Sequence, residues 1–136
     1  MAFIQAVIKN TRELVMLDKA TGTVVTKAGV LAKTTGGVVI PATNTTVRSE
    51  IMGICNQTIA AAEALLQVPA IVASSADTWI ADTDHNSDVT HNYQRMILVV
   101  GGLTVDNTGV DSASGVVEQV EPYGIAANKQ IICRFL

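Results

Sequence analysis

Five side chains able to hold a proton or a metal fall within the stretch IADTDHNSDVTHNYQ, Ile80 to Gln94: Asp82, Asp84, Asp88, His85 and His91, with Asp77 just ahead of them. The alternation invites comparison with calcium loops. An EF-hand loop takes oxygen ligands at alternate positions, glycine at the sixth and a bidentate glutamate at the twelfth. Starting from Asp82, the alternation runs through Asp84, Asn86 and Asp88, but Ser87 stands at the glycine position and Tyr93 at the glutamate position. Asp82, Asp84 and Asp88 are therefore the candidates a metal would have to use, in a pattern that argues against one. For zinc, the two histidines lack the helical i, i+4 spacing and no cysteine is near them. Paired carboxylates do acid–base work only in a cleft that shifts their pKa values. A run of Asp, Thr, Asn and Ser more commonly caps its own turns, because these side chains bond to nearby backbone. A solvated polar connection is the preferred reading.

Other chemistry finds less support. No GxSxG sequence is present, and neither Cys55 nor Cys133 has a histidine close by in sequence. The Gly-Gly pairs match neither GxGxxG nor GxxxxGK, so no phosphate cradle is indicated. Trp79, the single tryptophan, reads as core or interface packing. No enzyme activity and no cofactor are expected.

The elements that must carry these residues read as β. The segment GTVVTKAGVLAKTTGGVVIPAT consists of short Val-rich pieces cut by Gly22, Gly29, Gly36, Gly37 and Pro41, and β-branched residues favour strands while Gly and Pro mark turns. Thr-Gly-Gly at 35–37 predicts a hairpin between Leu31–Thr34 and Val38–Ile40. Further strands are expected within Glu50–Ile59, at Trp79, over Arg95–Val100, at Leu103–Gly109, over Val116–Val120 and over Gln130–Leu136. Many short strands with frequent turns favour a barrel or sandwich. Thr58–Gln67, TIAAAEALLQ, is helical by local propensity. Phe3–Leu17 fits an amphipathic helix and an extended arm about equally.

Composition limits the rest. The chain has 136 residues, a length suited to one domain. Hydrophobic residues make up 49% and charged residues 15%, yet aromatics only 4%, with a mean hydropathy of +0.37. A core of Val, Ile, Leu and Ala buries modest area per residue, so further burial against other chains is expected. Residues 1–50 hold six basic and three acidic side chains, a net +3, whereas residues 51–136 hold three basic and nine acidic, a net −6. The basic residues are scattered without interleaved aromatics, which disfavours nucleic acid. Complementary faces in a head-to-tail oligomer would account for the split. No apolar run approaches the ~20 residues that span a bilayer, and the N-terminus lacks the pattern of a secretory signal. Synthesis in the cytoplasm, with both cysteines as buried thiols, is the expectation.

Several stretches taken in order resemble a known family. KAGVLAKTTGGVVIPATN leads into IMGICNQTIAAAEALLQVPAIVA, then DTWIADTDHNSDVTHNYQRMILV, TVDNTGVDSASGVVEQV and a terminal ICRFL. This series resembles the head-decoration, or cement, proteins of tailed bacteriophages. The resemblance implies a mainly β, small single-domain β-barrel or β-sandwich with long loops, in which 1–12 form a contact arm and 13–136 a β-rich body. It also implies a turn at Ala60–Glu63 and a strand at Leu65–Val72 in place of the helix. The implied role is that of a virion protein on the outer capsid surface, made in the host bacterial cytoplasm. It would be a homotrimer with the major capsid protein as partner, without nucleic acid or membrane. Phe3, Ile4, Val7, Trp79, His85, His91 and Tyr93 are the interface candidates. The alternatives are a head-fibre or tail subunit, or a small ligand- or calcium-binding barrel.

Overall fold

A computed structural model describes residues 3–5, 14–63, 66–108, 111–124 and 128–136. The fold is mainly β, as the strand pattern indicates. Five strands, β2 (Leu14–Asp18), β3 (Val30–Lys33), β4 (Val39–Pro41), β5 (Ile51–Cys55) and β6 (Gln67–Val72), form one antiparallel sheet in the order β2-β6-β5-β3-β4. The other six, β1 (Phe3–Gln5), β7 (Trp79–Asp82), β8 (Arg95–Leu98), β9 (Val105–Asp106), β10 (Val117–Pro122) and β11 (Gln130–Phe135), form a second in the order β1-β7-β11-β10-β8-β9.

The five-stranded sheet curls on itself. Lys19, just past β2, bridges Val39 on β4, and the Ala20 N–H donates to the Val39 carbonyl at 3.1 Å. Val25, Leu31, Val39, Cys55, Ile59, Val68 and Ala70 fill the inside of the curl. Because side chains alternate between faces along a strand, Val30, Ala32 and Ile54 point the other way. They pack against Trp79, Met96, Leu98, Val117, Ile131 and Phe135 of the second sheet. One core thus lies within the curl and a larger one between the sheets.

The expected hairpin forms where the glycines place it. Thr34 donates its N–H to the Val38 carbonyl at 2.8 Å, and Gly37 closes the turn at φ +82°, a backbone region natural to glycine. Gly53 on β5 is glycine for a different reason: a Cβ there would lie 2.6 Å from the Ile71 carbonyl oxygen of β6.

The Ala-rich segment is not a helix in its described residues. Ile59 pairs with Val25 through two backbone bonds of 2.9 and 3.0 Å and is buried in the curl. Glu63 then donates to the Ala60 carbonyl in a turn, and β6 begins at Gln67. The turn-then-strand alternative describes this segment, with Ala64 and Leu65 outside the described residues. Burying Ile59 offsets the weak helical preference of a short Ala run, and Pro69 disfavours helix at the residue before it. β6 runs through Pro69, which is paired with Met16 of β2, and on the β5 side the Pro69 carbonyl accepts the Asn56 N–H at 2.9 Å.

Of the expected 1–12 contact arm, only Phe3–Gln5 lies within the described residues; it is an edge strand paired with β7, and Phe3 is 3% exposed. Its ring stacks on Phe135 at 5.7 Å between centroids, and Trp79 meets the same ring edge-on at 6.3 Å. Arg48 closes this aromatic group from above: its guanidinium lies 5.8 Å from the Phe135 centroid and donates to the Ala73 and Leu136 carbonyls. Burial lowers its pKa.

Candidate functional site

The polar stretch is the connection from β7 to β8, residues 83–94, and two buried amide side chains shape it. Asn107, one residue beyond β9, is 1% exposed. Its Oδ1 accepts the His85 N–H at 3.0 Å, while its Nδ2 donates to the carbonyls of His85 and Asn86 at 2.9 and 3.2 Å. The Asp84 carboxylate accepts the Asn107 N–H at 3.1 Å, and the Thr83 hydroxyl donates to the His85 carbonyl at 2.6 Å. The first half of the loop is thereby tied to the end of β9, with every polar atom of the Asn107 side chain used.

Gln119 does similar work for the second half. It sits on β10 at a bulge, where the pairing to β11 jumps from Gln119–Cys133 to Glu121–Ile132, and is 0% exposed. Its Nε2 donates to the Asp88 carbonyl and to Asn92 Oδ1, both at 2.8 Å. Its carbonyl accepts the Tyr93 N–H at 2.6 Å and its own N–H reaches the Gln94 carbonyl at 3.3 Å. These bonds hold a knuckle made of the 3₁₀ turn Val89–His91 and the two residues after it. Asp88 caps that turn, accepting the Thr90 N–H at 2.9 Å. This bond, with help from the Thr90 hydroxyl and the nearby His91, holds the Asp88 carboxyl below its usual range. Tyr93 has φ +65°, uncommon for a bulky residue, and is 67% exposed, with Val89 of the same knuckle at 65%.

The carboxylates proposed for a metal are thus spent separately. Asp82 accepts from Gln130 Nε2 at 3.0 Å, Asp84 from the Asn107 backbone and Asp88 from Thr90. His85 Nδ1 stands 3.3 Å from Asp84 Oδ1. Among the described residues no three His, Cys, Asp or Glu side chains converge. The cysteines are free thiols, and burial pushes the pKa of both upward, furthest for Cys133.

Of the interface candidates, Phe3 and Trp79 belong to the core, Trp79 at 1% exposure. A large ring there has more apolar surface to bury against Phe135 than any surface position offers. Val7 lies outside the described residues, and Ile4 is placed only by its backbone pairing with Ile80. His85, His91 and Tyr93 lie together on the loop, His85 and Tyr93 exposed and His91 half-buried.

A second surface is apolar. Residues directly paired across antiparallel strands share a face. The pairs Val30–Ile54, Ile54–Ile71 and Ile71–Leu14 therefore make one row around the outside of the curled sheet. Along it exposure runs from 0% at Val30 and 2% at Ile54, through a half-buried Ile71, to 58% at Leu14. Met16, paired with Pro69, is as exposed as Leu14. The second sheet covers one end of the row and leaves the β2 end open. No helix of the described residues is long and apolar enough to cross a membrane.

Neither Asn107 nor Gln119 was singled out by residue type, and a signal existed for one of them. In VVEQV, Gln119 occupies the same-face position as the inward Val117. A polar residue at an inward position must be bonded internally. A comparison of the chain with protein-family models gives no match, and neither does a comparison with curated protein sequences.

Proposed function

We propose that this chain is a structural virion protein that binds the outer surface of an assembled phage capsid and stabilises the lattice, acting as a homotrimer. The observation that carries the reading is the row Val30–Ile54–Ile71–Leu14, a core face that continues past its cover and ends in exposed Leu14 and Met16. An end strand with apolar side chains turned to water is a surface suited to another chain. The resemblance of the strand-and-turn series to decoration proteins names that chain as a capsid subunit or another copy. The polar loop supports a binding role: its carboxylates are used to brace the backbone, and what it turns outward is Tyr93, Val89 and His85.

A cement protein stabilises the state it prefers. Binding the assembled lattice and not the free subunit shifts assembly by mass action, by about 2.7 kcal/mol per site at a hundredfold excess over Kd. Several sites engaged at once raise the avidity further.

The test is a sedimentation assay of the purified protein with expanded capsids and, separately, with free capsid subunits. Saturable binding to capsids alone, with a raised temperature of capsid disruption, is the expected result. Equal binding to both, or binding to neither, would reject the reading, and binding to isolated tails would replace it with a tail-subunit role.

A further inference from the structure

We infer that Met16 is the site at which a hydroperoxide modifies this chain, and that its sulfoxide disables the apolar face around it. The switching half rests on the proposed function, which gives that face a partner. The modification itself does not.

The sulfurs of the described residues are divided unevenly between core and water. Met96 and Cys133 are 0% exposed and Cys55 is 2% exposed. Met52 is half-buried and packs against the inner core of the curl. Met16 is 57% exposed, on the same side of β2 as exposed Leu14, and Asp18 borders the face beyond it. Oxidation of sulfur follows exposure and, for cysteine, the thiolate fraction. Both thiols fail on both counts, because they are buried and burial raises the pKa of each. A thioether has no proton to lose, so exposure alone decides among the methionines.

In the step, a lone pair of the Met16 sulfur attacks the outer oxygen of the peroxide. An S–O bond forms as the O–O bond breaks, and the proton of the attacked oxygen passes to the departing one. That group leaves as water from hydrogen peroxide, or as an alcohol from an organic hydroperoxide. Sulfur is oxidised by two electrons and the peroxide is reduced by two.

The product spares the fold and changes the surface. Met16 is held in β2 by backbone pairing with Pro69, and its side chain belongs to neither core. A sulfoxide there sets a polar S–O group on the open apolar end of the Val30–Ile54–Ile71–Leu14 row. A partner covering it would strip that oxygen of water without replacing the bond, which opposes binding. The same cover would shield the sulfur, so the modification acts on the chain before it binds.

Graded hydrogen peroxide followed by peptide mass spectrometry reads the site, with Met1, outside the described residues, scored as a separate peptide. Sedimentation of the treated protein, alone and with expanded capsids, reads the switch. Met16 sulfoxide is expected to form at least about tenfold faster than sulfoxide at Met52 or Met96, with the melting temperature unchanged. Association should weaken at least about tenfold and return on treatment with methionine sulfoxide reductases for both epimers. Met52→Leu should be as sensitive to peroxide as the native chain. Met16→Gln, with a polar group of similar length, should associate as weakly as the oxidised chain without any peroxide. Oxidation of Met52 or Met96 at the rate of Met16 would overturn the site. Full association by the Met16-oxidised chain, or by Met16→Gln, would overturn the switch and leave the proposed function standing. A native chain that neither self-associates nor binds capsids before treatment would reject the proposed function and the switch with it, while the peptide map would still decide the site.

Discussion

Strand β2 and the connection from β7 to β8 both lie at the surface and are made by opposite means. β2 is apolar, with Val15 and Leu17 against the inner core and Leu14 and Met16 turned outward. The connection is polar, and two amide side chains buried beneath it give it shape. In the first case the side chain that matters is the one that found no cover. In the second it is the one that was buried at a cost, which its bonds to the loop offset. Position within the chain's polarity pattern therefore does not reveal which surface is shaped and which is left over.

The largest effect should come from the covered end of the β2 row. Ile54→Ala should lower unfolding stability in urea by about 3 to 4 kcal/mol, as core truncations that leave a cavity do. Next, Asn107→Ala strands the His85 N–H and the Asn86 carbonyl and leaves the His85 carbonyl only the Thr83 hydroxyl, and should cost about 2 kcal/mol, with faster hydrogen exchange over residues 84–87. Gln119→Leu should cost only about 1 kcal/mol, because it removes two good bonds together with a buried Oε1 that has no partner among the described residues. At the open end of the row, Leu14→Ala should change monomer stability by less than about 0.5 kcal/mol while weakening association. If Leu14→Ala matched Ile54→Ala in the monomer, the row would not end where the cover does.

The smallest effect concerns acid. The Asp88 carboxyl is held below its ordinary value of 3.8, chiefly by the Thr90 N–H. Its contribution is fully present above 3.8 and disappears as pH falls through the lower folded value. Asp88→Asn should therefore lower stability slightly at neutral pH, where that contribution is present, and match the native chain in acid, so that the acid limb of the profile flattens, followed by circular dichroism of the unfolding transition.

Most strands were legible because their signals are local. Gly36-Gly37 between two Val-containing runs specifies a hairpin through turn geometry alone, and Trp79, Met96, Val117 and Ile131 lie in apolar runs that each contain β-branched residues. The failures came where a distant residue decided. TIAAAEALLQ reads as helix until Val25, more than thirty residues earlier, pairs with Ile59. Phe3 reads equally as part of a helix or of an extended arm, and it is Phe135, far along the chain, that stacks on it in the structure. The loop carboxylates look like one cluster in sequence, but their partners Gln130, Asn107 and Thr90 lie on three different elements and draw them apart.

By itself, then, the sequence determined a mainly β chain of short strands, sparse in large side chains, with one long polar connection and an uneven distribution of charge. Alternation, β-branching and glycine placement act over a few residues, and they carry that much. Only the tertiary structure decided which apolar residues are covered and which polar ones are buried. Whether Leu14 meets water depends on how far the second sheet extends over the first. Alternation with Val117 turns Gln119 inward, but which loop it braces depends on the segment from Asp88 to Tyr93 lying over it. Both outcomes are set by contacts between segments far apart in the chain.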